Sequence, residues 1–286
     1  MKSTQTSNQT LIRTATSKDT TALLELWKLC FTEDLDFLSF FFREGFPLTR
    51  TFVLVVDAKV VAAASLFSGY YEHDSRILPI SYLYGVCTHP DYQHRGLSSQ
   101  LLLAIIEDRK ASEDAFILTK PANAALFQFN ERIGFDHPIY AREQDWFPVE
   151  HPTQTQDPWG ELTTEKLEQF IAEKKNPTPR ILWNRQELNY ILSYYRITGG
   201  IAWKTDQHYL IASPQDEEQK HWLVLDTNMN ENNCRLQLPV AELAKIRVFD
   251  EDSLWQNQTT AFQKYALALR LREAPATNTR FTFPME

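Results

Sequence analysis

One segment carries most of the information in this chain: Val86-Cys87-Thr88-His89-Pro90-Asp91-Tyr92-Gln93-His94-Arg95-Gly96-Leu97-Ser98-Ser99-Gln100-Leu101. An apolar and aromatic run over 80–86 predicts a buried strand, and an apolar run over 97–106 predicts a helix. Between them, His89-Pro90-Asp91 breaks the strand. A strand that turns into a helix N-terminus presents several unpaired backbone N–H groups at one point. Those donors and the helix dipole predict a site for a phosphate or pyrophosphate.

The composition indicates a globular chain with more than one hydrophobic core. The 286 residues exceed a typical single domain and 43% are hydrophobic, so we expect two domains. No apolar run reaches the roughly 18 residues of a membrane span, and the polar residues 1–10 lack the apolar segment of a signal peptide. The separate cysteines Cys30, Cys87 and Cys234 have no metal-ligand spacing, which predicts reduced thiols in the cytoplasm and no metal site. The net charge of −8 argues against nucleic-acid binding.

The first half of the chain predicts the element order β-α-α-β-β-β-α-β-α. This order gives an α/β fold with a mixed sheet and helices on both faces. The predicted strands are 11–14, 51–56, 60–67, 80–88 and 115–119, and the predicted helices are 18–31, a second helix from 33, 96–110 and 121–132. Gly134 follows the last helix in the position of a C-cap glycine.

A stretch rich in Pro, Thr and Gln over 148–160 predicts a linker. We therefore expect a disordered tail (1–10), a first domain (11–147) and a smaller C-terminal α+β domain (161–286). The predicted elements of the second half are helices at 163–175, 185–194 and 240–245 and strands at 200–213 and 221–226. The segment 261–270 fits a helix and a strand equally.

The first half, over roughly residues 10–145, resembles the GNAT superfamily of N-acetyltransferases. The pyrophosphate loop of that family reads Arg or Gln, two variable residues, Gly, one variable residue, then Gly or Ala. Here it is Gln93-His94-Arg95-Gly96-Leu97-Ser98, with Ser98 in place of the last small residue. The family's second signature, an Asn early in the last helix and Gly-Phe at its end, is matched by Asn123 and Gly134-Phe135. The order of elements is also that of the family.

The resemblance implies an acyltransferase that uses acetyl-CoA as co-substrate and transfers acetyl directly to an amine of a small molecule or peptide. It implies that backbone amides of the loop surround the pyrophosphate and that the end of the preceding strand pairs with the pantetheine arm. The implied donor-binding residues are Val86, Cys87, Thr88, Gln93, His94, Arg95, Gly96, Leu97, Ser98, Ser99, Asn123 and Asn130. Arg95 also fits a solvated surface charge, and Cys87 also fits a buried small hydrophobic residue.

The resemblance leaves the proton donor of the reaction open. Many members of the superfamily protonate the departing thiolate with a Tyr four residues before the Gly of Gly-Phe. That position is Asn130 here, and an amide is no acid near pH 7. Either the thiolate leaves unaided, since the pKa of a free thiol is about 8.5, or another group serves. Tyr82, Tyr84 and Tyr92 are the candidates for such a group.

The strand itself offers further candidates. Alternation predicts that Tyr82, Tyr84, Val86 and Thr88 lie on one face of the strand. A buried Tyr in a strand is also an ordinary packing residue. Glu72, at the end of the preceding strand, is a candidate base acting directly or through water, and it also fits a surface hairpin tip.

The succession of two domains resembles the enhanced-intracellular-survival type of acetyltransferase. This resemblance implies a second half that is a diverged acetyltransferase-like domain, and a C-terminal carboxylate, here Glu286, that acts as base. A tail packed on its own domain is the alternative for 281–286. Two other functions stay open: a non-catalytic acyl-CoA-binding or interaction protein that has lost the acid at Asn130, and a tandem-domain enzyme with a tRNA-borne donor, which the low basic content disfavours. Homo-oligomerisation also stays open.

Overall fold

The computed structural model describes residues 10–31, 35–146, 159–173, 179–218, 220–228, 243–248, 261–276 and 279–280. The chain forms two compact units, each assembled from three segments. The first unit contains the described residues of Met1–Gly69, Pro79–Asp136 and Leu267–Ala274. The second contains those of Tyr70–Leu78, His137–Ala266 and Pro275–Glu286.

The first unit follows the predicted element order, so the α/β fold with a mixed sheet is confirmed. Its strands are β1 (Thr10–Thr14), β2 (Thr49–Val56), β5 (Phe116–Thr119) and most of β3 (Lys59–His73) and β4 (Arg76–Thr88), whose residues 70–73 and 76–78 belong to the second unit. Its helices are α1 (Thr20–Cys30), α2 (Leu35–Phe40), α3 (Leu97–Lys110) and α4 (Ala124–Ile133). A π-helical turn at Phe41–Gly45 follows α2 directly.

The sheet of the first unit has the order β1-β2-β3-β4-β5-β13, in which β13 (Gln263–Arg270) comes from near the C-terminus. β4 and β5 run parallel. β13 lies antiparallel to β5, with Leu267 opposite Thr119 and Arg270 opposite Phe116. The segment 261–270 is therefore a strand over most of its length, because its backbone groups pair with β5.

Two hydrophobic layers cover the sheet of the first unit. On one face, Leu101, Leu102 and Ile105 of α3 pack with Leu54, Leu83 and Ile117 of the strands, and all are fully buried or nearly so. On the other face, Trp27 of α1 stacks on Phe41 with 4.3 Å between ring centroids. Each fully buried side chain of this size contributes about 1.5–3 kcal/mol, so both layers stabilise the end of β4 that leads into α3.

The second unit is also built around β-sheet. Its elements are β6 (His137–Trp146), β7 (Gly160–Glu161), α5 (Thr164–Glu173), β8 (Arg180–Leu182), α6 (Arg185–Ile197), β9 (Ile201–Lys204), β10 (Tyr209–Pro214), β11 (His221–Thr227) and β12 (Leu243–Val248). The sheet order is β6-β12-β11-β10-β9-β7, with β11 and β12 parallel and the other pairs antiparallel. β8 pairs with residues 70–72 of β3. Throughout the described residues, each helix is too short or too polar to cross a membrane.

Two predictions for the second half are wrong. The predicted single strand over 200–213 is the hairpin of β9 and β10. The predicted helix over 240–245 is strand β12 in its described residues, with Leu243 opposite His221 and Ile246 opposite Val224. β6 pairs with the other edge of β12. Neighbours on both edges satisfy backbone groups that a helix this short cannot satisfy internally.

Candidate active site

The loop between β4 and α3 turns tightly and leaves the start of the helix open. His94 has a φ of 60° and Gly96 a φ of 74°, both in the left-handed region. Gly96 is the N-cap of the 14-residue α3, and a Cβ placed on it would meet nothing within 4 Å. The N–H groups in the first turn of a helix have no partner within that helix. The loop therefore presents such donors beside free space.

Side chains of the loop hold its two ends together. The hydroxyls of Thr88, at the end of β4, and Ser98, in α3, are hydrogen-bonded at 2.7 Å. Gln93 Nε2 donates to the Thr88 carbonyl oxygen at 3.1 Å, and the Cys30 thiol donates to the same oxygen at 3.3 Å. The serine that departs from the family pattern thus makes a bond that Gly or Ala lacks. The Gln93 N–H is engaged as well, since it donates to the Pro90 carbonyl oxygen at 3.2 Å.

The other predicted loop residues have varied surroundings. Arg95 Nη2 donates to the Asp91 carbonyl oxygen at 2.6 Å, and its guanidinium lies 5.0 Å from the centroid of the Tyr92 ring. His94 is exposed, Leu97 is buried in the core under α3, and Ser99 is half-buried. A hydrogen bond to Asp91 and the contact with the Tyr92 ring therefore hold Arg95 on the surface of the loop.

β4 extends beyond its partner β5. The parallel register ends at Leu83 opposite Thr119, whereas β4 continues to Thr88. On the β5 side, residues 85–88 lie beyond this last pair and have no ladder partner within the described part of the chain. Such an edge accepts an extended ligand by strand addition, which fits the predicted roles of Val86, Cys87 and Thr88.

A left-handed glycine divides the exposed end of β4. Gly85 has a φ of 61°, and a Cβ on it would lie 2.4 Å from Cζ2 of Trp27. The prediction that Tyr82, Tyr84, Val86 and Thr88 share one face is wrong. The rings of Tyr82 and Tyr84 pair at 6.3 Å. Val86, in contrast, packs with the core under α3. Left-handed glycine in a strand interrupts the alternation, as in a bulge.

Tyr84 lies in an aromatic cluster. Its ring centroid is 5.9 Å from that of Trp27, 5.8 Å from Phe41 and 5.9 Å from Phe67. Tyr84 is half-buried, whereas Tyr82 is only 2% exposed. Of the two tyrosines, Tyr84 is therefore the more accessible to a substrate.

The two asparagines of the second signature both cap or brace α4. Asn123 is the N-cap, and its side-chain oxygen accepts from the Leu126 N–H at 3.0 Å. Asn130 Nδ2 donates to the Leu126 carbonyl oxygen at 2.8 Å, and the residue is 7% exposed. Gly134, with a φ of 112°, ends the helix. The position at which many relatives carry a Tyr thus holds an amide engaged in its own helix.

Comparison with protein families matches residues 11–137 to the acetyltransferase (GNAT) domain. Residues 11–137 are a GNAT domain. A GCN5-related N-acetyltransferase from Kribbella flavida superposes with a TM-score of 0.72 at 13% identity, over 93% of this chain and 72% of that one. A GCN5-related N-acetyltransferase from Anabaena variabilis superposes with a TM-score of 0.71 at 10% identity, over 92% of this chain and 73% of that one. Eis1 from Mycobacterium abscessus superposes with a TM-score of 0.65 at 11% identity, over 92% of this chain and 74% of that one. These likenesses show a shared fold, and no curated protein matches the sequence.

The two carboxylates predicted as bases, Glu72 and Glu286, are distant in sequence from the loop between β4 and α3. Glu72 forms an ion pair. In the second unit, the Glu72 carboxylate accepts from Nε of Arg180, and Nη1 of the same arginine donates to the Ile171 carbonyl oxygen at 3.2 Å. To act as a base, Glu72 has to give up this ion pair. Glu286 lies outside the described residues.

Two thiols of the GNAT domain lie together at the end of β4. A hydrogen bond with the Cys87 thiol lowers the pKa of Cys30. The same bond and burial raise the pKa of Cys87 well above its usual value, and Cys87 is 5% exposed. Cys87 is therefore a protonated, buried side chain, which limits any donor contact it makes to its backbone.

Sequence reasoning missed two features of this site. The bulge at Gly85 had a signal, because an isolated Gly inside a strand pattern indicates a bulge or a close backbone approach. Lys59, the first residue of β3, had none. Its Nζ lies 5.4 Å from the Tyr92 ring centroid, a contact that depends on the pairing of β3 with β4.

Proposed function

We propose that this protein is an N-acetyltransferase that transfers acetyl from acetyl-CoA to an amine of a small molecule or peptide. The observation that carries the proposal is the open first turn of α3 behind left-handed Gly96, beside the end of β4 that extends past β5. Membership of residues 11–137 in the GNAT family supports the same reaction class.

The donor site is built mainly from backbone. Backbone amides of the segment from Gln93 to Ser99 and the dipole of α3 bind the pyrophosphate, which needs no lysine at that point. Within this segment the Gln93 N–H already donates to the Pro90 carbonyl oxygen, so the amides that follow it supply the donors. The main chain of Val86 and Thr88 pairs with the amides of the pantetheine arm. The bond between Thr88 and Ser98 keeps these two parts of the site at a constant spacing.

The chemical step is direct attack. The amine nitrogen forms a bond to the thioester carbonyl carbon, the carbon–sulfur bond breaks, and CoA leaves as the thiolate. The amine proton goes to a base or to water, and the thiolate takes a proton from an acid or from solvent. We propose Tyr84 as this acid, because it is the more accessible tyrosine on β4. General acid catalysis typically contributes about 10²–10⁴-fold.

Titration calorimetry with acetyl-CoA tests the donor site. Gly96→Ala and Gly96→Trp share the cost of a side chain at positive φ and differ in bulk at an open position. We expect Gly96→Trp to weaken acetyl-CoA binding more than about tenfold relative to Gly96→Ala, a difference of at least about 1.4 kcal/mol. Equal affinities in the two variants would show that the donor binds elsewhere.

Thiol release over a panel of amines tests the chemistry. Tyr84→Phe should lower kcat about 10²-fold with an unchanged Kd for acetyl-CoA, whereas the matched variant Tyr82→Phe should retain turnover. The alternative is a non-catalytic acyl-CoA-binding protein, which the amide at Asn130 favours. Acetyl-CoA binding without thiol release for any amine would support that alternative.

The proposal also covers the base, the cellular compartment and the domain boundaries. Glu72 and Glu286 stay proposed bases. Glu72→Gln should lower turnover at an unchanged Kd for acetyl-CoA, and removal of residues 285–286 tests the carboxylate. We place the reaction in the cytoplasm, because both described cysteines are free thiols, as in proteins of reducing compartments. The boundaries 11–147 and 161–286 stay proposed for the two domains.

A further inference from the structure

We infer that Cys30 is a site of reversible oxidation by a hydroperoxide and that Cys87 resolves the oxidised sulfur as an intramolecular disulfide. The inference goes beyond the proposed function, because it concerns thiol chemistry that acetyl transfer to an amine does not use. Both thiols are free in the structure. Where glutathione keeps thiols reduced, a disulfide that does form is usually transient and belongs to a catalytic or redox-sensing protein.

The two thiols meet between α1 and the end of β4. Cys30 is the last residue of α1, and Cys87 is the last but one of β4. The thiols are hydrogen-bonded to each other, and the Cys30 thiol donates to the Thr88 carbonyl oxygen at 3.3 Å. Both residues belong to the first compact unit. The fold of this unit therefore brings two sulfur atoms that are distant in sequence into contact.

The two thiols differ in their access to an oxidant. Cys30 is half-buried, whereas Cys87 is 5% exposed and is hydrogen-bonded to the backbone of Ala63 in β3. The hydrogen bond with Cys87 lowers the pKa of Cys30, and the thiolate is the form of cysteine that attacks an oxidant. An accessible thiolate beside a second thiol is typical of redox-sensor cysteines. Cys30 therefore reacts first and Cys87 second.

The reaction with hydrogen peroxide balances in two steps. In the first, the Cys30 sulfur attacks a peroxide oxygen: a sulfur–oxygen bond forms, the oxygen–oxygen bond breaks, and the departing hydroxide leaves as water with the thiol proton. In the second, the Cys87 sulfur attacks the sulfenic acid of Cys30: the disulfide bond forms, the sulfur–oxygen bond breaks, and the hydroxide leaves as water with the Cys87 proton. The sulfur atoms together lose the two electrons that the peroxide oxygens gain.

The movement that closes the disulfide falls on one partner. β4 is fixed at this point, because Cys87 is bonded to Ala63 and the following His89 N–H donates to the Val61 carbonyl oxygen at 2.8 Å. Cys30 ends its helix, and the end of a helix opens more readily than its interior. The end of α1 therefore moves toward β4 when the disulfide forms.

One consequence of the inference rests on the proposed function. The Cys30 thiol lies at the Thr88 carbonyl oxygen, on the strand end that we propose for the pantetheine arm. The His89 N–H is directed at β3, and successive residues of a strand direct their backbone groups to alternate edges, so those of Thr88 face away from β3. An arm paired at that edge covers the Cys30 sulfur. Acetyl-CoA at saturation should therefore slow the oxidation of Cys30 severalfold.

Treatment of the full chain with hydrogen peroxide in a Cys234→Ser background tests the thiol pair. Cys30 and Cys87 are then the two cysteines of the chain, so an intramolecular disulfide joins these two. After peroxide is removed and the protein is denatured, iodoacetamide labels the remaining thiols for intact-mass and peptide mass spectrometry. We expect both thiols to disappear together with the loss of two hydrogen atoms, and dithiothreitol to restore both.

Two matched serine variants in this background separate the roles of the two sulfurs. In Cys30→Ser, the Cys87 thiol should be lost at least about tenfold more slowly than in the parent, because a buried, protonated thiol is a poor nucleophile. In Cys87→Ser, Cys30 should still be oxidised, first to the sulfenic acid and then to the sulfinic acid, which dithiothreitol does not reduce. Cys87 thus makes the oxidation of Cys30 reversible.

The results for the ligand-free protein decide the inference. If neither thiol reacts at a peroxide concentration that oxidises free cysteine, or if Cys30 gains oxygen without a bond to Cys87, the inference is overturned. If Cys87 is oxidised equally fast in Cys30→Ser, the order of the two sulfurs is overturned.

The results with acetyl-CoA keep this inference separate from the proposed function. If acetyl-CoA binds in calorimetry and leaves the rate of oxidation unchanged, the position of Cys30 under the pantetheine arm is overturned. If acetyl-CoA does not bind and the disulfide still forms, the proposed function fails and the inference stands.

Discussion

The contact of Gly85 with Trp27 gives a prediction whose size follows from the structure. A Cβ at residue 85 would lie 2.4 Å from Cζ2 of Trp27. The indole cannot move aside cheaply, because Trp27 is 3% exposed and stacked on Phe41 at 4.3 Å. A side chain at positive φ costs about 1–2 kcal/mol, and overpacking a core costs about 1–3 kcal/mol. Gly85→Ala should therefore lower the free energy of unfolding by about 2–5 kcal/mol.

Gly96→Ala is the matched control for this substitution. Gly96 has a similar φ, 74° against 61°, in the same compact unit, but a Cβ there meets nothing within 4 Å. Both substitutions also restrict the unfolded chain equally, so their difference isolates the steric contact. Gly96→Ala should cost about 1–2 kcal/mol.

Urea denaturation followed by tryptophan fluorescence measures both variants. Trp27→Leu then removes the obstacle, and in that background the cost of Gly85→Ala should fall to the cost of Gly96→Ala, as a double-mutant cycle reports. Equal losses for the two alanine variants in the presence of Trp27 would refute the steric reasoning.

Three further predictions concern the N-cap of α4, the loss of stability in acid and the reactivity of the two thiols. Asn123→Ala removes the N-cap of α4 and should lower the free energy of unfolding by about 1 kcal/mol in urea denaturation; an unchanged midpoint would contradict the cap. The Arg13 guanidinium lowers the pKa of Asp19 well below its usual 3.8, so the pair stabilises the fold fully above about pH 5 and progressively less as pH falls. In Asp19→Asn, the free energy of unfolding should fall less steeply as the pH is lowered, as measured by denaturation at several pH values. An equally steep fall in the variant would contradict the role of this pair. Because the pKa of Cys30 is lowered and that of Cys87 raised, iodoacetamide should alkylate Cys30 first in peptide mass spectrometry; equal rates would contradict this assignment.

The parts of the GNAT domain that could be predicted from sequence are those with local causes. The turn before α3, the cap at Asn123 and the end of α4 at Gly134 are each specified by residue types within a few positions. The periodicity of the flanking runs then sets the element order. These local signals and the order of elements sufficed for the fold class.

The remainder depends on partners distant in sequence. Residues 261–270 carry no sign that they add a strand beside β5, which lies near residue 117. Residues 243–245 belong to a segment with good helix formers, yet β11 and β6 pair with both edges of the strand they form. In both cases tertiary pairing outweighs a local preference that is worth only tenths of a kcal/mol per residue.

Gly85 lies between the proposed donor site and the proposed acid. Its left-handed conformation separates Tyr84, which faces the aromatic cluster, from Val86, which packs under α3. A side chain at residue 85 therefore disturbs both sides of β4, whereas bulk at Gly96 disturbs only the loop before α3. Under the proposed function, Gly96→Trp should raise the Kd for acetyl-CoA while saturating donor restores kcat. Gly85→Ala should lower kcat even at saturating donor, because the position of Tyr84 changes with the strand.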